Sequence, residues 1–432
     1  NFMSKFQIII LGVFIINIIA GVAFFATYKG AGSNTQIAPI TVWGTFPADT
    51  FNNYVSKVNL TLASPMSISY VEKSQSSFSR DFIAALARGT GPDVILIPAD
   101  ILLPHLDKIS LIPYTALLQR TFMDTYIEEG QMYLTANGIQ ALPFIVDPLV
   151  MYWNRDMFSS AGIASYPKYW SEFTALNKQL TLKDANGNIR KSAIAMGDFT
   201  NVINARELLG TLLLQTGNSI TSQSSSGVVG SMLKASGNAN PAMAVDFFTQ
   251  FVDPNNANYS WNKGMSDSKT SFLSGTLATY FGFASELANI RSKNPNLNFD
   301  VAPIPQLKSS GIKATYGRMY GFSLVRTSVN QNAAYQILSI LTDSANLSLL
   351  SQMTYLPSVN TDVIAQGSTD PYITIFNKAA LISKTWLDAD PAQSYAIFGN
   401  MVNAVTSGAE NTREALNSAS DQYDVVLRQA QQ

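Results

Sequence analysis

Short apolar and β-branched runs alternate with amphipathic segments in the first part of the chain. Residues 40–44, 67–71 and 93–97 predict strands, and the last of these runs is apolar almost throughout. Such strands are typical of parallel sheets that are covered on both faces. Between the second and third runs, apolar residues at helical spacing over 78–86 predict a half-buried helix, which the glycines and proline of 89–92 end. The order strand, helix, strand therefore predicts a βαβ sheet.

Extended, proline-punctuated segments follow in the middle of the chain. Residues 141–148 contain two prolines and lead into a predicted strand over 149–154. A second segment of this kind, 299–305, comes before a predicted strand over 320–325. The strand-like run 276–282 ends in glycine, which lets a ligand or a helix approach closely. Helices are predicted over residues 204–215 and 241–252 and over most of the chain after residue 325, with a break at 355–358.

An uncharged apolar run occupies residues 6–28. A helix of this length spans roughly 34 Å, enough for a hydrocarbon core of about 30 Å. The run exceeds the usual signal-peptide core of about 7–15 residues, so we predict a retained transmembrane anchor, with a cleaved signal peptide as the alternative. Lys5 and Lys29 flank the run and leave its orientation open. Because most of the chain follows the anchor and a linker over 29–39, we expect a single-pass protein of the cell membrane whose large part is extracytoplasmic.

Composition narrows the possible classes of protein. Charged residues make up only 13% of the chain, and 28 basic side chains nearly balance 29 acidic ones. No basic face is evident, so nucleic acid is not expected as a partner. The sequence contains no cysteine, which excludes disulfides, thiolate metal sites and lipid attachment through an N-terminal cysteine. The chain after the linker is too long for one compact core, so two lobes are expected.

Catalytic motifs are scarce. The sole histidine, His105, has no partner motif nearby, which favours a surface or structural position. Neither Gly-x-Ser-x-Gly nor Gly-x-x-x-x-Gly-Lys-[Ser/Thr] occurs. A Ser-x-x-Lys pattern occurs at 266–269 and at 310–313, but both matches lie in polar segments rather than at the start of a buried helix. We therefore expect no enzyme, no cofactor and no metal site.

Several motifs occur in a consistent order over nearly the whole region after the linker. They are Gly-Thr-Gly-Pro-Asp-Val at 89–94, the proline crossover at 142–144 followed by Tyr-Trp-Asn-Arg-Asp at 152–156, the helix start Tyr-Pro-Lys-Tyr-Trp-Ser-Glu-Phe at 166–173, and Val-Ala-Pro-Ile-Pro at 301–305 followed by Gly-Phe-Ser-Leu at 321–324. Each motif alone is a weak signal, but the ordered set is hard to obtain by chance. With this set the chain resembles the extracellular solute-binding proteins of bacterial ABC importers, in the maltose-binding-protein-like group.

The resemblance implies an α/β, periplasmic-binding-protein-like fold of two lobes, with a solute held in the cleft between them. Extended segments with proline resist helix formation and can rotate as hinges, since domain closure needs few moving residues. Hinges are accordingly expected near residues 145 and 303. The predicted first lobe comprises residues 40–146 plus 305–353, and the predicted second lobe comprises residues 147–304 plus 354–432.

Loops at the carboxyl ends of the predicted strands supply candidate ligand residues. The loop after the first strand contains Trp43, Thr45 and Phe46, and the loop after the second contains Ser74 and Gln75. Sugars present hydroxyls that need hydrogen bonds and C–H faces that stack on aromatic rings, so these residue types suit a carbohydrate. The alternatives are that Trp43 belongs partly to the core and that Ser74 and Gln75 are ordinary solvated residues.

The resemblance implies further ligand contacts from both lobes. For Asp100, helix capping is the alternative. Phe283 and Phe398 stand where the family commonly has tryptophan, and Ile97 fills another such place, so a maltodextrin ligand is not expected. The contacts that the resemblance adds are Asp100, Asp147, Phe199 in the Asp198-Phe199 loop, Phe283, Tyr320, and Phe398 or alternatively Trp386.

We therefore predict a membrane-anchored solute-binding component of an ABC importer. Its partners would be a small solute, expected to be a sugar, and the subunits of a membrane permease. The alternative is a surface sensor or structural binding module with the same fold and no transport role, since fold does not fix function. Permease genes beside the coding sequence would favour the first hypothesis.

Overall fold

The computed structural model describes residues 38–224, 227–234 and 239–432. The predicted anchor at 6–28 and most of the linker lie outside these residues. Across the three described ranges, no helix is both long enough and apolar enough to cross a membrane. The anchor therefore stays a prediction.

The described strands form one large mixed sheet and two small hairpins. In chain order they are β1 (Ile40–Gly44), β2 (Ile68–Glu72), β3 (Val94–Pro98), β4 (Ile109–Ser110), β5 (Leu134–Thr135), β6 (Gly138–Ile139), β7 (Leu142–Asn154), β8 (Leu182–Lys183), β9 (Ile189–Ile194), β10 (Thr221–Gln223), β11 (Val229–Ser231), β12 (Leu277–Phe283), β13 (Phe299–Ala302), β14 (Thr315–Val325) and β15 (Ser383–Lys384). The order across the large sheet is β2-β1-β3-β14-β7-β12-β9-β8, with β4 and β15 beside β14 and β13 beside β7.

Helices pack around the sheet. The described α-helices are α1 (Ala48–Asn59), α2 (Gln75–Ala87), α3 (Gln119–Thr125), α4 (Arg155–Ser160), α5 (Phe173–Leu180), α6 (Ala205–Gln215), α7 (Pro241–Thr249), α8 (Ser268–Leu273), α9 (Leu287–Lys293), α10 (Gln331–Leu341), α11 (Ser344–Thr354), α12 (Thr361–Ala365), α13 (Pro371–Ala380), α14 (Pro391–Thr406) and α15 (Thr412–Gln429). Short 3₁₀ helices cover Ala99–Ile101, Leu103–Lys108, Glu128–Tyr133, Trp170–Glu172, Gln250–Val252 and Ala284–Glu286.

The large sheet belongs to two lobes. In the first lobe, β1 pairs in parallel with both β2 and β3, as the apolar runs predicted. In the second lobe, β12 pairs in parallel with β9 and antiparallel to β7. Helix α1 packs against β2 in the first lobe. In the second lobe, α5 packs against β9 and α8 packs against β12. The predicted two-lobed α/β fold is confirmed.

Strand β7 is shared by both lobes. Its residues 142–148 pair with β14, and its residues 149–153 pair with β12. The predicted crossover and the predicted strand after it therefore form one continuous strand. Proline has no N–H to donate to a ladder, so it is tolerated where pairing is irregular. Pro148 lies where β7 changes partner, and Pro143 lies beside a register shift in β14.

The segment around the second predicted hinge bonds to residues of the second lobe. The Gln306 amide donates to the Lys168 carbonyl at 2.9 Å, and the Gln215 side-chain amide donates to the Ala314 carbonyl at 2.8 Å, so residues 303–314 stay with the second lobe. The prolines of this segment end β13, and β14 then carries the chain across. A third crossing, at β15, was not predicted, because a strand of two residues carries no periodic pattern. The residue limits of the lobes otherwise stay a prediction.

His105 is a core residue of the first lobe. Its Nε2 atom lies 3.1 Å from the Ser79 hydroxyl oxygen, and the rings of Phe78 and Phe82 meet its imidazole edge-on. Burial lowers the pKa of His105 to about 4, so the ring is neutral at pH 7. The packing therefore gives this histidine a structural position, one of the two positions that the sequence favoured.

Gly317 is enclosed where β14 leaves the second lobe. A Cβ atom at this position would overlap Oε2 of Glu129 and lie 2.7 Å from the Cβ of Ser383. Glu129 accepts a hydrogen bond from the Ser383 hydroxyl, which fixes the carboxyl against two crossing segments. Burial raises the pKa of Glu129 to about 8, so this carboxyl is largely protonated at neutral pH. The space around Gly317 therefore requires glycine.

We expect Gly317→Ala to lower the free energy of unfolding by about 1–3 kcal/mol, because the added methyl group overlaps a carboxyl that is held in place. Urea denaturation followed by circular dichroism measures this change. Gly311→Ala is the matched control, since a Cβ at Gly311 meets nothing within 4 Å and the backbone there is not left-handed. An equal loss of stability in both variants would contradict the steric explanation.

Candidate functional site

Loops from both lobes meet at β14. The Tyr316 hydroxyl, on β14, donates to Oδ2 of Asp100 in the loop after β3 at 3.1 Å. The ring of Tyr316 lies 6.0 Å from that of Phe283 at the end of β12. In open α/β sheets, ligands bind beyond the carboxyl ends of the strands. The floor of the candidate site is therefore the first half of β14.

Aromatic rings form the first-lobe side of this site. The Lys73 ammonium lies 4.2 Å from the centroid of the Trp43 ring. The rings of Phe46 and Tyr320 meet edge-on at 5.4 Å, and Phe46 is buried by this packing. Trp43, Thr45 and Tyr320 keep part of their surface exposed. Trp43 and Tyr320 are consequently the rings that this wall offers for stacking in the present arrangement of the lobes.

Arg318 is a cleft residue that the sequence analysis missed. Side chains alternate along a strand, so Tyr316, Arg318 and Tyr320 share one face of β14. The Arg318 guanidinium lies 4.0 Å from the centroid of the Phe283 ring, and Arg318 is paired in register with Asp147 of β7. Arg318 lies two residues before the predicted contact Tyr320, and this strand spacing was the signal that could have identified it.

Asp147 ties the hinge strand to the second lobe. Its Oδ1 atom accepts from the Ser285 amide at 3.0 Å, and its Oδ2 atom accepts from the Ser285 hydroxyl at 2.6 Å. Burial raises the pKa of Asp147 to about 6, and the nearby charge of Arg318 acts in the opposite direction. The side chain is thus engaged within the protein at the position where the resemblance implied a ligand contact.

Arg206 is a second cleft residue without a sequence signal. It lies at the start of α6 and is 1% exposed. Its guanidinium contacts Asp388 at 2.6 Å and Glu207 at 2.9 Å, and it reaches Asp100 at 3.6 Å. Asp100 forms this contact within a 3₁₀ helix and does not cap an α-helix.

The second-lobe side of the site contains a pair of aromatic rings. Phe199 lies 5.1 Å from Tyr395, whose hydroxyl donates to the Phe199 carbonyl. Phe398 is fully buried and packs edge-on against Tyr423, and Trp386 is buried with Arg206 over its ring. Tyr395, one turn before Phe398 on α14, is 39% exposed. The late aromatic side chain available to a ligand in this arrangement is therefore Tyr395.

A cavity of about 660 Å³ opens between the lobes at the mouth of the cleft. The first turn of α2 supplies Gln75 and Ser76 on one wall. On the other wall, the first turn of α14 supplies Gln393 and the last residue of α15 is Gln429. We call this cavity the mouth pocket. Ser74, which caps α2, holds the backbone that presents Gln75. The walls of the mouth pocket therefore belong to different lobes.

The predicted ligand residues differ in accessibility. Gln75 lines the mouth pocket, and Trp43, Thr45 and Tyr320 are partly exposed. The others are covered by contact between the lobes or by local packing. Their roles as ligand contacts stay predictions. The buried members are Phe46, Asp100, Asp147, Phe199, Phe283 and Phe398.

Two further observations concern the metal-ligating side chains and the Ser-x-x-Lys pattern. Within the described residues, no group of histidine, cysteine, aspartate or glutamate side chains could hold a metal ion. In the Ser-x-x-Lys match at 266–269, Lys269 pairs with Glu286 at 2.7 Å. This lysine is therefore held by a carboxylate.

A protein-family comparison matches residues 67–347 to the bacterial extracellular solute-binding proteins. This match covers well over half of the chain. A comparison with curated proteins finds no match.

Solved structures share the fold at low sequence identity. A cyclo/maltodextrin-binding protein complexed with maltotetraose has a TM-score of 0.71 at 14% identity, covering 92% of this chain and 98% of that one. A cyclic α-maltosyl-1,6-maltose binding protein from Arthrobacter globiformis has a TM-score of 0.71 at 16% identity, covering 91% and 99%. An ABC transporter solute-binding protein from Thermotoga lettingae bound with α-D-tagatose has a TM-score of 0.66 at 17% identity, covering 90% and 99%.

We expect Asp147→Asn to flatten the dependence of stability on pH between about 4 and 6. Burial raises the pKa of Asp147 from 3.8 to about 6, so the folded protein keeps this proton at pH values where the unfolded chain loses it. The free energy of unfolding therefore falls as pH rises through this window, and the asparagine variant lacks that contribution. Urea denaturation at pH 4, 5, 6 and 7 measures the difference.

Asp184→Asn is the control for this titration. Hydrogen bonds from Asn188 are the largest cause that lowers the pKa of Asp184 to about 2, so its contribution is lost only as pH falls below about 4. Its curve should run parallel to that of the wild type between pH 4 and 7. Parallel curves for Asp147→Asn as well would contradict the burial effect on Asp147.

Proposed function

Because the chain belongs to the bacterial extracellular solute-binding protein family, we propose that it binds a carbohydrate in the cleft between its lobes and delivers it to an ABC permease. The observation that carries this proposal is the mouth pocket, whose two walls belong to different lobes. A ligand that bridges such walls is bound only when the lobes come together, so binding and closure are coupled.

The chemistry of the walls supports a carbohydrate. Side-chain amides of Gln75, Gln393 and Gln429 donate and accept hydrogen bonds, as sugar hydroxyls do. Outside the lining of the mouth pocket, the partly exposed rings of Trp43 and Tyr395 suit the C–H faces of a pyranose. Relatives of the same fold bind maltotetraose and α-D-tagatose, which agrees with this class of ligand.

The remaining predicted contacts are also part of the proposed site. Their side chains come from strands, loops and a helix of both lobes, and opening of the cleft would hydrate those that contact between the lobes covers. They complete the proposed ligand-binding set, which comprises Trp43, Thr45, Phe46, Gln75, Asp100, Asp147, Phe199, Phe283, Tyr320 and Phe398, together with Gln393 and Tyr395 from the structure.

Anchoring and transport are further parts of the proposal. The apolar run at 6–28 would hold the protein at the outer face of the membrane, and the permease would receive the solute there. Membrane fractionation of the full chain tests the anchor, and uptake of labelled sugar in cells with and without the gene tests transport.

We expect Gln75→Ala and Gln393→Ala each to weaken carbohydrate binding by roughly 3–10-fold, because each removes about 1 kcal/mol of net hydrogen bonding. Isothermal titration calorimetry measures the affinity, after a panel of mono- and oligosaccharides has identified a ligand of the wild type. Gln179→Ala is the control, since Gln179 is exposed on a different surface of the second lobe.

Three results would contradict the proposed site or function. Absence of binding across the whole panel would argue against a carbohydrate. Unchanged affinity in both glutamine variants would move the site away from the mouth pocket. An equal loss in Gln179→Ala would show that the effect is not local.

A further inference from the structure

Arg318 differs from the other sheltered basic side chains of the protein. It lies on β14 in the floor of the cleft and is half-buried, yet within the described ranges its guanidinium has no hydrogen-bond acceptor and no ion pair. The other buried or half-buried basic side chains of these ranges each contact a carboxylate at 3.9 Å or less. They are Lys73, Lys108, Arg206, Lys269 and Lys384.

The carboxylates nearest to Arg318 are engaged with other partners. Asp147, its register partner on β7, accepts from the amide and the hydroxyl of Ser285. Asp100 reaches Arg206 at 3.6 Å. Both carboxylates act on the Arg318 charge through space, but neither accepts a hydrogen bond from it. The N–H groups of this arginine are therefore available to a ligand.

The guanidinium of Arg318 is held in a defined place. Its central carbon lies over the Phe283 ring, 4.0 Å from the ring centroid. Its stem leaves β14 between Tyr316 and Tyr320, which share the same face of the strand. The nitrogen atoms are unpaired but not enclosed, so they keep contact with solvent. An arginine held in this way offers a fixed fork of donors and loses little freedom when it binds an acceptor.

The charge of Arg318 favours an anionic acceptor over a neutral one. A sheltered charge without a counter-charge is costly, and a sugar hydroxyl can accept its hydrogen bond without balancing its charge. A carboxylate does both, because its two oxygens accept two parallel N–H bonds from one guanidinium. A phosphate carries nearly two negative charges, which exceeds what one unpaired guanidinium balances.

We infer that the solute bears a carboxylate, as a uronic acid does, and that the guanidinium of Arg318 binds this group in the floor of the cleft. The partly exposed rings of Trp43 and Tyr320 stand on the same side of the cleft and suit the C–H face of the sugar ring. This inference rests on the proposed function and names the class of carbohydrate.

Isothermal titration calorimetry of the full chain tests the inference with matched pairs of sugars. D-Galacturonate and D-glucuronate, as monomers and short oligomers, are each compared with the neutral D-galactose and D-glucose counterparts. We expect at least one uronate to bind about tenfold or more tightly than its counterpart, since hydrogen bonds to charged groups are the stronger ones. Its methyl ester, which keeps the shape and lacks the charge, should lose this preference.

We expect Arg318→Gln to weaken uronate binding by about 10–100-fold and to abolish the preference over the neutral sugar. Arg318→Lys keeps the charge and loses the two-pronged geometry, so an intermediate loss is expected. The lysine variant and the methyl ester also keep the test decisive if Arg318→Gln folds poorly by circular dichroism.

Arg190→Gln is the matched control, because it removes the same charge from an exposed ion pair with Asp184 and should leave the preference unchanged. Neutral sugars that bind as tightly as the uronates would overturn the inference and leave the proposed function intact. So would binding of glucose 6-phosphate in place of the uronates, or a preference that survives in Arg318→Gln. Absence of binding by charged and neutral sugars alike would overturn both.

Discussion

Continuous hydrogen bonding through β7 is the constraint on which the rest of the structure depends. This strand pairs with β14 over residues 142–148 and with β12 over residues 149–153, so one backbone belongs to both lobes. The lobes cannot slide past each other without breaking this ladder, and rotation is confined to the residues where the partner changes. Pro148, which has no N–H to donate, lies at that point opposite Gly317. Glu129 and Ser383 fill the space over Gly317, so a third crossing segment supports the same place.

Much of this architecture could be predicted from local patterns. The strand at 40–44 was predicted with its observed bounds, because a β-branched run ending in glycine is a short-range signal. Which residues after the prolines near 303 stay with the second lobe depends on pairing between distant residues, such as Gln215 with Ala314. Tertiary contacts also decide the third crossing, since the two residues of β15 have no pattern of their own. Local sequence therefore predicts helices and strands, whereas the crossings between the lobes depend on tertiary contacts.

The candidate site likewise combines features that local sequence predicts with features that depend on tertiary contacts. Loops after strands could be predicted as neighbours of the cleft, since the topology of parallel strands dictates where their carboxyl ends lie. Which aromatic side chain of α14 stays exposed was not predictable, because Tyr395 and Phe398 are only one turn apart and packing against Tyr423 buries the second. Arg206 had no signal, since its partners Asp388 and Ser394 follow it by 182 and 188 residues. A buried charge network of this kind becomes visible only in three dimensions.

The lengths of the contacts around Arg206 indicate which of them would break first if the lobes separated. The contacts within the second lobe are short, at 2.6 to 2.9 Å, whereas the contact with Asp100 is longer, at 3.6 Å. Separation of the lobes would therefore break the longest contact first and leave the guanidinium fixed beside Asp388. A binding site that is complete in only a fraction of molecules has its apparent affinity reduced by that fraction. The single long contact between Arg206 and Asp100 therefore adds little to the free energy needed to open the cleft for entry and release.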